Sequence, residues 1–417
     1  MTTSTATPAP EVIEEGGGIG GALRDYVARL RGGDTGSLPA VLGFIVLVIF
    51  FSATAEPFTS KLNWANLLNQ SAAYIFIAMG LVFVLLLGEI DLSAGYTAGT
   101  SAAMMGVVMT QKGFAWPIAV LACLVTGAVI GLTIGILVAR LGIPSFVVTL
   151  AYFLGLQGVL LLVIGEGGTI AIRDKTILAI NNNNMSTWMG WVFFLVVAGG
   201  YAAVTFGQQA RRRAAGLPTA ATSVVLAKVG GLALLLAIVT FFLNQERSVN
   251  PVLNSLKGVP IIVPVTALFV VGLTFVLTRT SFGRHVYAVG GNAEAARRAG
   301  INVGNIKIAC FVIGSVLAAI GGILIASRDN SVSPTSGGSS TLLLSVAAAV
   351  IGGTSLFGGK GRIIDAVIGG LVIGVIYNGL PFITQQAGIQ FVVTAGVLLL
   401  AASVDAIARR RASATGR

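Results

Sequence analysis

Glu89 and Asp91 stand two residues apart in Gly88-Glu89-Ile90-Asp91-Leu92-Ser93, between two apolar runs, and no other pair in this chain has types and spacing closer to chemistry. Carboxylates at membrane segments are costly and point to function by default. Three uses are open to them. In lipid headgroups they are solvated or cap the following helix. Buried, they pair with a basic residue of the same layer, and in series they relay protons. Asp365 and Asp405 have Arg362 and Arg409 nearby for charge balance. His285, the single histidine, stands in a polar stretch without the companions a metal site needs, so no metal site is expected. Cys123 and Cys310 fall inside apolar runs, where two thiols make no disulfide framework and serve packing. No nucleophile stands with its base, which argues against catalysis by this chain.

Two stretches imitate nucleotide loops. Gly16-Gly17-Gly18-Ile19-Gly20-Gly21 satisfies G-x-G-x-x-G, yet no apolar strand precedes it and no βαβ unit follows. The stretch Gly353–Gly361 resembles a phosphate loop with Thr354 in place of its first Gly and Gly361 in place of the magnesium-binding Ser or Thr. Neither supports ATP hydrolysis here. Gly352, Gly353, Gly358, Gly359 and Gly361 instead permit tight turns at a membrane edge marked by Lys360 and Arg362; Gly358 and Gly359 serve either a helix corner or a hinge.

The elements that position these residues are apolar. The chain has 417 residues, 55% hydrophobic and 10% charged, which places it with polytopic membrane proteins. A span needs about 17–25 apolar residues. Twelve such runs are expected, at 38–55, 67–88, 92–110, 116–139, 145–165, 188–206, 223–243, 261–278, 307–326, 341–358, 364–383 and 389–407. With the N-terminus inside, most Lys and Arg fall in cytoplasmic loops, including Arg211, Arg212, Arg213, Arg284, Arg297, Arg298, Lys360 and Arg362. Both termini are then cytoplasmic. The formal charge of +11 follows from this bias and suits anionic lipid rather than nucleic acid. Repeats at Gly127, Gly131 and Gly135, and at Gly370 and Gly374, suit close helix packing.

The segment Gly283–Val303 is a basic polar loop between two such runs. Asn292 suits a helix N-cap, Glu294 the first turn and Gly300 the left-handed stop, giving about two turns over 293–299. A helix that short needs external support. It is either a connector on the membrane surface or a helix pressed into a cleft of a cytoplasmic partner.

The segment SFGRHVYAVGGNAEAARRAGINVGNIK resembles the cytoplasmic loop of bacterial ABC monosaccharide importer permeases, the ribose, xylose, arabinose and galactose group. LGEIDLSAG at 87–95, LGIPSFVVTLAYFLGLQG at 141–158 and IGGTSLFGGKGRIIDAVIGGLVIGVIYNGL at 351–380 agree in order and spacing, so the resemblance covers roughly residues 65–407. It implies an all-α polytopic membrane protein of about 12 transmembrane helices, a type II importer-like core of about ten plus an added pair. The expected order is a polar cytoplasmic tail (1–37), a permease domain (38–407) and a basic cytoplasmic tail (408–417). Within the domain lie the added pair (188–243) and the coupling loop (279–306), which follows the eighth span rather than the sixth. The added pair is most like xylose permeases and favours a pentose.

The resemblance also implies partners: an ABC ATPase carrying ATP and Mg, an extracytoplasmic sugar-binding protein and a second permease copy, all at a bacterial inner membrane. No cofactor is expected in this chain. The implied coupling residues are Gly283, Arg284, Gly291, Asn292, Glu294, Ala295, Ala296, Arg297, Arg298 and Gly300. A monosaccharide pathway needs amides, hydroxyls and aromatic faces; the candidates are Asn69, Gln70, Tyr74, Tyr96, Tyr152, Gln157, Tyr377 and Asn378. Two alternatives stay open. One is an ion-coupled secondary carrier, against which stands the absence of deep ionisable groups. The other is a different cargo of the same family: a nucleoside, a signalling sugar or a branched-chain amino acid.

Overall fold

The computed structural model describes residues 36–396 apart from Glu166, Pro218, Val249 and 252–254, together with Gly20, Gly21, Arg24, Leu399 and Ser403. The basic tail at 408–417, Asp405, Arg409 and most of the tail at 1–37 lie outside the described residues.

Each expected apolar run meets a helix. They are α1 (Leu38–Thr54), α2 (Lys61–Leu86), α3 (Ala94–Gly106), α4 (Trp116–Ala139) and α5 (Ser145–Ile164). A short α6 (Lys175–Asn182) precedes α7 (Thr187–Ala214), α8 (Thr222–Leu243) and α9 (Ile262–Arg279). Two more short helices, α10 (Ser281–Gly291) and α11 (Ala293–Arg298), lead to α12 (Val303–Asp329), α13 (Ser339–Gly352), α14 (Ile363–Ile383) and α15 (Ala387–Gly396). Among the described residues, 8 helices are long and apolar enough to cross a membrane; α1, α3, α13 and α15 are shorter.

Three boundaries differ from the sequence reading. The run at 341–358 stops as a helix at Gly352, because Gly353 takes φ +118° and the glycine-rich turn begins there. The run at 92–110 is an α-helix to Gly106 and a π-turn over Val107–Gln111. The stretch carrying Arg211, Arg212 and Arg213, expected as a cytoplasmic loop, is helical to Ala214, since Ala and Arg are good helix formers and the three arginines lie in the last turn, where the macrodipole favours cations.

Successive connections gather at opposite ends of the bundle. At one end the turn after α2 meets α5, α10 and the α13–α14 connection: the Ile90 amide donates to Ser145 Oγ at 3.2 Å, and Tyr287 Oη donates to the Gly361 carbonyl at 2.7 Å. At the other end β1 (Ile170–Ala171) pairs antiparallel with β2 (Ser331–Val332), and Asn182 Nδ2 donates to the Ser327 carbonyl at 2.6 Å. This alternation is what helices threaded back and forth through a bilayer must show.

α2 forms the centre, buried along most of its length and enclosed by α12, α13 and α14. Glycines set the approach distances. A Cβ on Gly127, Gly131 or Gly135 of α4 would meet Ser315 O at 2.7 Å, Phe311 O at 2.5 Å or Ile308 Cα at 2.8 Å on α12. Gly370 and Gly374 press on Ile75 and Ser71 of α2 in the same way. In lipid, where apolar surface gains nothing by meeting apolar surface, such close packing holds helices together. The pair α7–α8 packs mainly on itself and leaves most of its surface outward. Cys123 and Cys310 are free and buried.

Candidate functional site: a capped surface helix, a glycine junction and an amide pocket

The stretch read as a loop from Gly283 to Gly291 is helix α10. Thr280 Oγ1 accepts from the Gly283 amide at 3.2 Å as its cap, and Gly283, Val286 and Val289 form its buried stripe. His285 sits half-buried on this helix rather than in a loop, and Arg284 is exposed, donating to Ser281 Oγ at 2.8 Å. Gly291 ends α10 in open space.

Asn292 then caps α11, its Oδ1 accepting from the Ala295 amide at 2.9 Å. At the other end the Gly300 amide donates to Arg297 O and the Ile301 amide to Ala296 O, both at 3.0 Å, with Gly300 at φ +85°. These two bonds make the six-to-one, five-to-two closure that satisfies the last carbonyls. Ala296 is the one buried side chain of the helix, so it seats α11 on the bundle. Glu294, Ala295, Arg297 and Arg298 face outward; Glu294 pairs with Arg297 at 2.8 Å and with Arg298 at 3.4 Å. A six-residue helix doubly capped, pinned by buried Ala296 with half-buried Ala293 beside it, and exposed at its other four residues is a rigid knob.

Behind the knob lies a junction of backbones. A Cβ on Gly290 would stand 1.8 Å from Leu86 O and 2.8 Å from Gly359 N, and one on Gly358 would stand 2.9 Å from both Gly290 O and Gly88 N. Gly88, Gly358 and Gly359 hold φ of +75°, +85° and +70°, a region that costs residues with a Cβ about 1–2 kcal/mol. The Gly359 amide donates to Leu86 O at 2.9 Å. The C-terminus of α2, the end of α10 and the α13–α14 connection therefore touch main chain to main chain. Arg362 and buried Asp365 close the connection with a capping box at the start of α14.

Glu89 and Asp91 have different surroundings. Glu89 is ion-paired to Lys307 of α12. Asp91 is 2% exposed and accepts from the Ser93 amide at 2.8 Å and Ser93 Oγ at 2.6 Å, with no ion-pair partner among the described residues. Burial raises its pKa, and the Ser93 bonds oppose the rise. One carboxylate is thus held by a cation while the other folds onto its own turn, and the two share no partner. Asp91→Asn keeps an acceptor for the Ser93 amide and is expected to leave uptake nearly unchanged. Asp91→Ala orphans buried donors, costs about 1–3 kcal/mol and should lower membrane accumulation. Uptake and accumulation of the two variants measured together check this.

At the opposite end of α2, a cavity of about 320 Å³ is lined by Asn63, Asn66, Gln70, Tyr377, Asn378, Pro381, Phe382 and Gln390. Asn63 Nδ2 donates to Asn378 Oδ1 at 2.7 Å and Asn378 Nδ2 donates back to Asn63 Oδ1 at 2.9 Å and to Gln70 Oε1 at 3.1 Å. Tyr74 stands edge-on to Tyr377, ring centroids 5.8 Å apart. Amides that both donate and accept, beside aromatic faces, suit a small hydroxyl-rich molecule.

Of the expected pathway residues, Gln70, Tyr377 and Asn378 line this cavity and Tyr74 backs it. Asn69 is half-buried on α2 and does not line the cavity, its Oδ1 without a hydrogen bond among the described residues. Tyr96 packs on Phe153 at 4.8 Å, in the cluster that also takes Tyr152, and Gln157 is half-buried on α5; these three are not brought to the pocket. The sequence reading missed Asn63, Asn66 and Gln390. Asn63, Asn66 and Gln70 at i, i+3 and i+7 share one helix face, the signal that marks two of them. Among the described residues no His, Cys, Asp or Glu group suits a metal.

No solved structure matches the chain. The xylose transport system permease protein of Escherichia coli K12 is 33% identical over 372 residues, covering 89% of this chain and 92% of that protein. Its Haemophilus influenzae counterpart is 34% identical over 371 residues, 88% of this chain and 94% of that protein. The ribose import permease protein of Escherichia coli K12 is 30% identical over 370 residues, 88% and 92% of the two chains. A family model described as branched-chain amino acid transport system / permease component matches residues 63–402. With that match spanning the helices that carry both the capped knob and the amide pocket, the chain belongs to this family of multi-pass membrane permeases.

Proposed function

We propose that this chain forms the translocation pathway of an ATP-driven importer for a monosaccharide, a pentose such as xylose, received from an extracytoplasmic binding protein. The observation that carries the reading is α11: a helix too short to stand alone, capped at both ends and presented outward on the end of the bundle richest in Lys and Arg. The retention of basic loops on the cytoplasmic side supports reading that end as cytoplasmic, with both termini on the cytoplasmic side of a bacterial inner membrane and the amide pocket on the far side. ATP and Mg²⁺ belong to a separate ATPase seated against α11, and two copies of this permease share the pathway. Xylose is preferred because the relatives with the higher identity are xylose permeases.

Affinity purification of the full chain from its native membrane in mild detergent, followed by reconstitution, tests this. The expected result is a co-purifying ATPase subunit and uptake of labelled xylose that requires ATP and the binding protein. A chain that arrives alone and moves sugar without ATP is a secondary carrier and overturns the proposal. Preference for ribose, a nucleoside or a branched-chain amino acid over xylose would keep the mechanism and replace the cargo.

A further inference from the structure

The glycine junction and the amide pocket lie at opposite ends of the same two helices. α2 runs 26 residues from Lys61, next to the pocket, to Leu86 at the junction, a length of about 39 Å at 1.5 Å per residue. α14 starts at Ile363, two residues after the Gly361 carbonyl that holds Tyr287, and carries Tyr377 and Asn378 at its far end. We propose that the contact among Leu86, Gly290 and Gly359 divides the movement of the α10–α11 unit between α2 and α14, and that the Asn63–Asn378 pair opens and closes at their far ends as the outer gate. This rests on the reading of α11 as the coupling helix.

The physical case begins with what the junction lacks. A side chain between two segments absorbs a small displacement by changing rotamer, whereas main chain packed directly on main chain has no such slack. Gly290 meets Leu86 O and Gly359 N with no side chain between, and the Gly359 amide is bonded to Leu86 O. Tyr287 adds a second hold on the α14 side through Gly361. Midway, Gly370 and Gly374 present no α14 side chain to α2 and receive Ile75 and Ser71 directly, so the two helices are in close register between the junction and the pocket. Small rotations about the junction are largest at the distant ends. There the joint is a reciprocal amide pair, whose polar groups exchange partners readily with water or sugar hydroxyls.

Accessibility at the pocket measures this directly. Cys123 and Cys310 are both 0% exposed, so a cysteine placed at exposed, pocket-lining Asn66 is the site a membrane-impermeant maleimide should report among the described residues. In the intact complex with its ATPase, trapping with ATP and vanadate should change the labelling rate of Asn66→Cys several-fold. Adding Gly290→Ala should abolish that response while ATP hydrolysis continues. Tyr287→Phe removes one hydrogen bond without adding volume and should weaken the response; it serves if Gly290→Ala does not assemble. An undiminished response in these variants, or a hydrolysing parent complex with no response at Asn66→Cys, overturns the proposal. Failure of any ATPase to co-purify with the unaltered chain is a different result and removes the coupling reading itself.

Discussion

Replacing Glu294–Arg298 by a Gly/Ser linker is expected to give a permease that reaches the membrane folded, loses its ATPase subunit on purification and takes up no sugar above background. Folding is spared because Ala296 alone of these residues is buried and the Glu294 ion pairs are exposed, where such pairs contribute about 0–1 kcal/mol. Binding is not spared. A knob that fills a partner's cleft concentrates the interaction in a few residues, and losing about 2–4 kcal/mol weakens association roughly 30- to 1000-fold. Co-purification and uptake should therefore fall together while the amount of permease in the membrane holds. If the ATPase stays bound to the linker variant, the contact lies elsewhere on this face.

Gly369→Leu should have the largest effect on stability. A Cβ at Gly369 would stand 1.8 Å from Ala348 O, and one at Gly352 the same distance from Asp365 O, so α13 and α14 are in main-chain contact at two points one turn apart. A leucine there must separate the helices, and overpacking of this kind costs about 1–3 kcal/mol or more. Gly200→Leu on α7, where nothing lies within 4 Å, is the control and should be tolerated. Thermal unfolding of the two variants in detergent, followed by size-exclusion profile, compares them; equal stability would contradict the α13–α14 packing.

What the sequence made legible were features written in neighbouring residues. Asn292, Glu294 and Gly300 announce α11 because a cap, a first-turn acid and a left-handed stop are each decided within a few residues. The apolar runs announce their helices because bilayer thickness acts on consecutive residues. α10 was hidden because its buried stripe is Gly283, Val286 and Val289, too sparse to stand out in a basic segment. The stop of α13 at Gly352 was hidden because Leu356 and Phe357 prolong the apolar run past the turn. The amide pocket depends on Asn63 meeting Asn378, 315 positions away, and by residue type Tyr96, Tyr152 and Gln157 are equally suitable, so helix adjacency alone separates them from it. The junction was half legible: Gly358 and Gly359 stood out, but their partners Leu86 and Gly290 are specified by packing.

The burial of α2 sets a problem for biogenesis. Among the described residues it is the first of the long apolar helices to leave the ribosome, yet it is enclosed by α12, α13 and α14, the last of which ends at Ile383. At about 5–20 residues per second, the helix waits on the order of tens of seconds for its walls. During that time Asn63, Gln70 and Ser71 have none of their final neighbours on α14 and face lipid, water or an insertion factor. The centre of this transporter is thus laid down early and completed late, and newly made chains should depend on something that shelters α2 until its enclosing helices arrive.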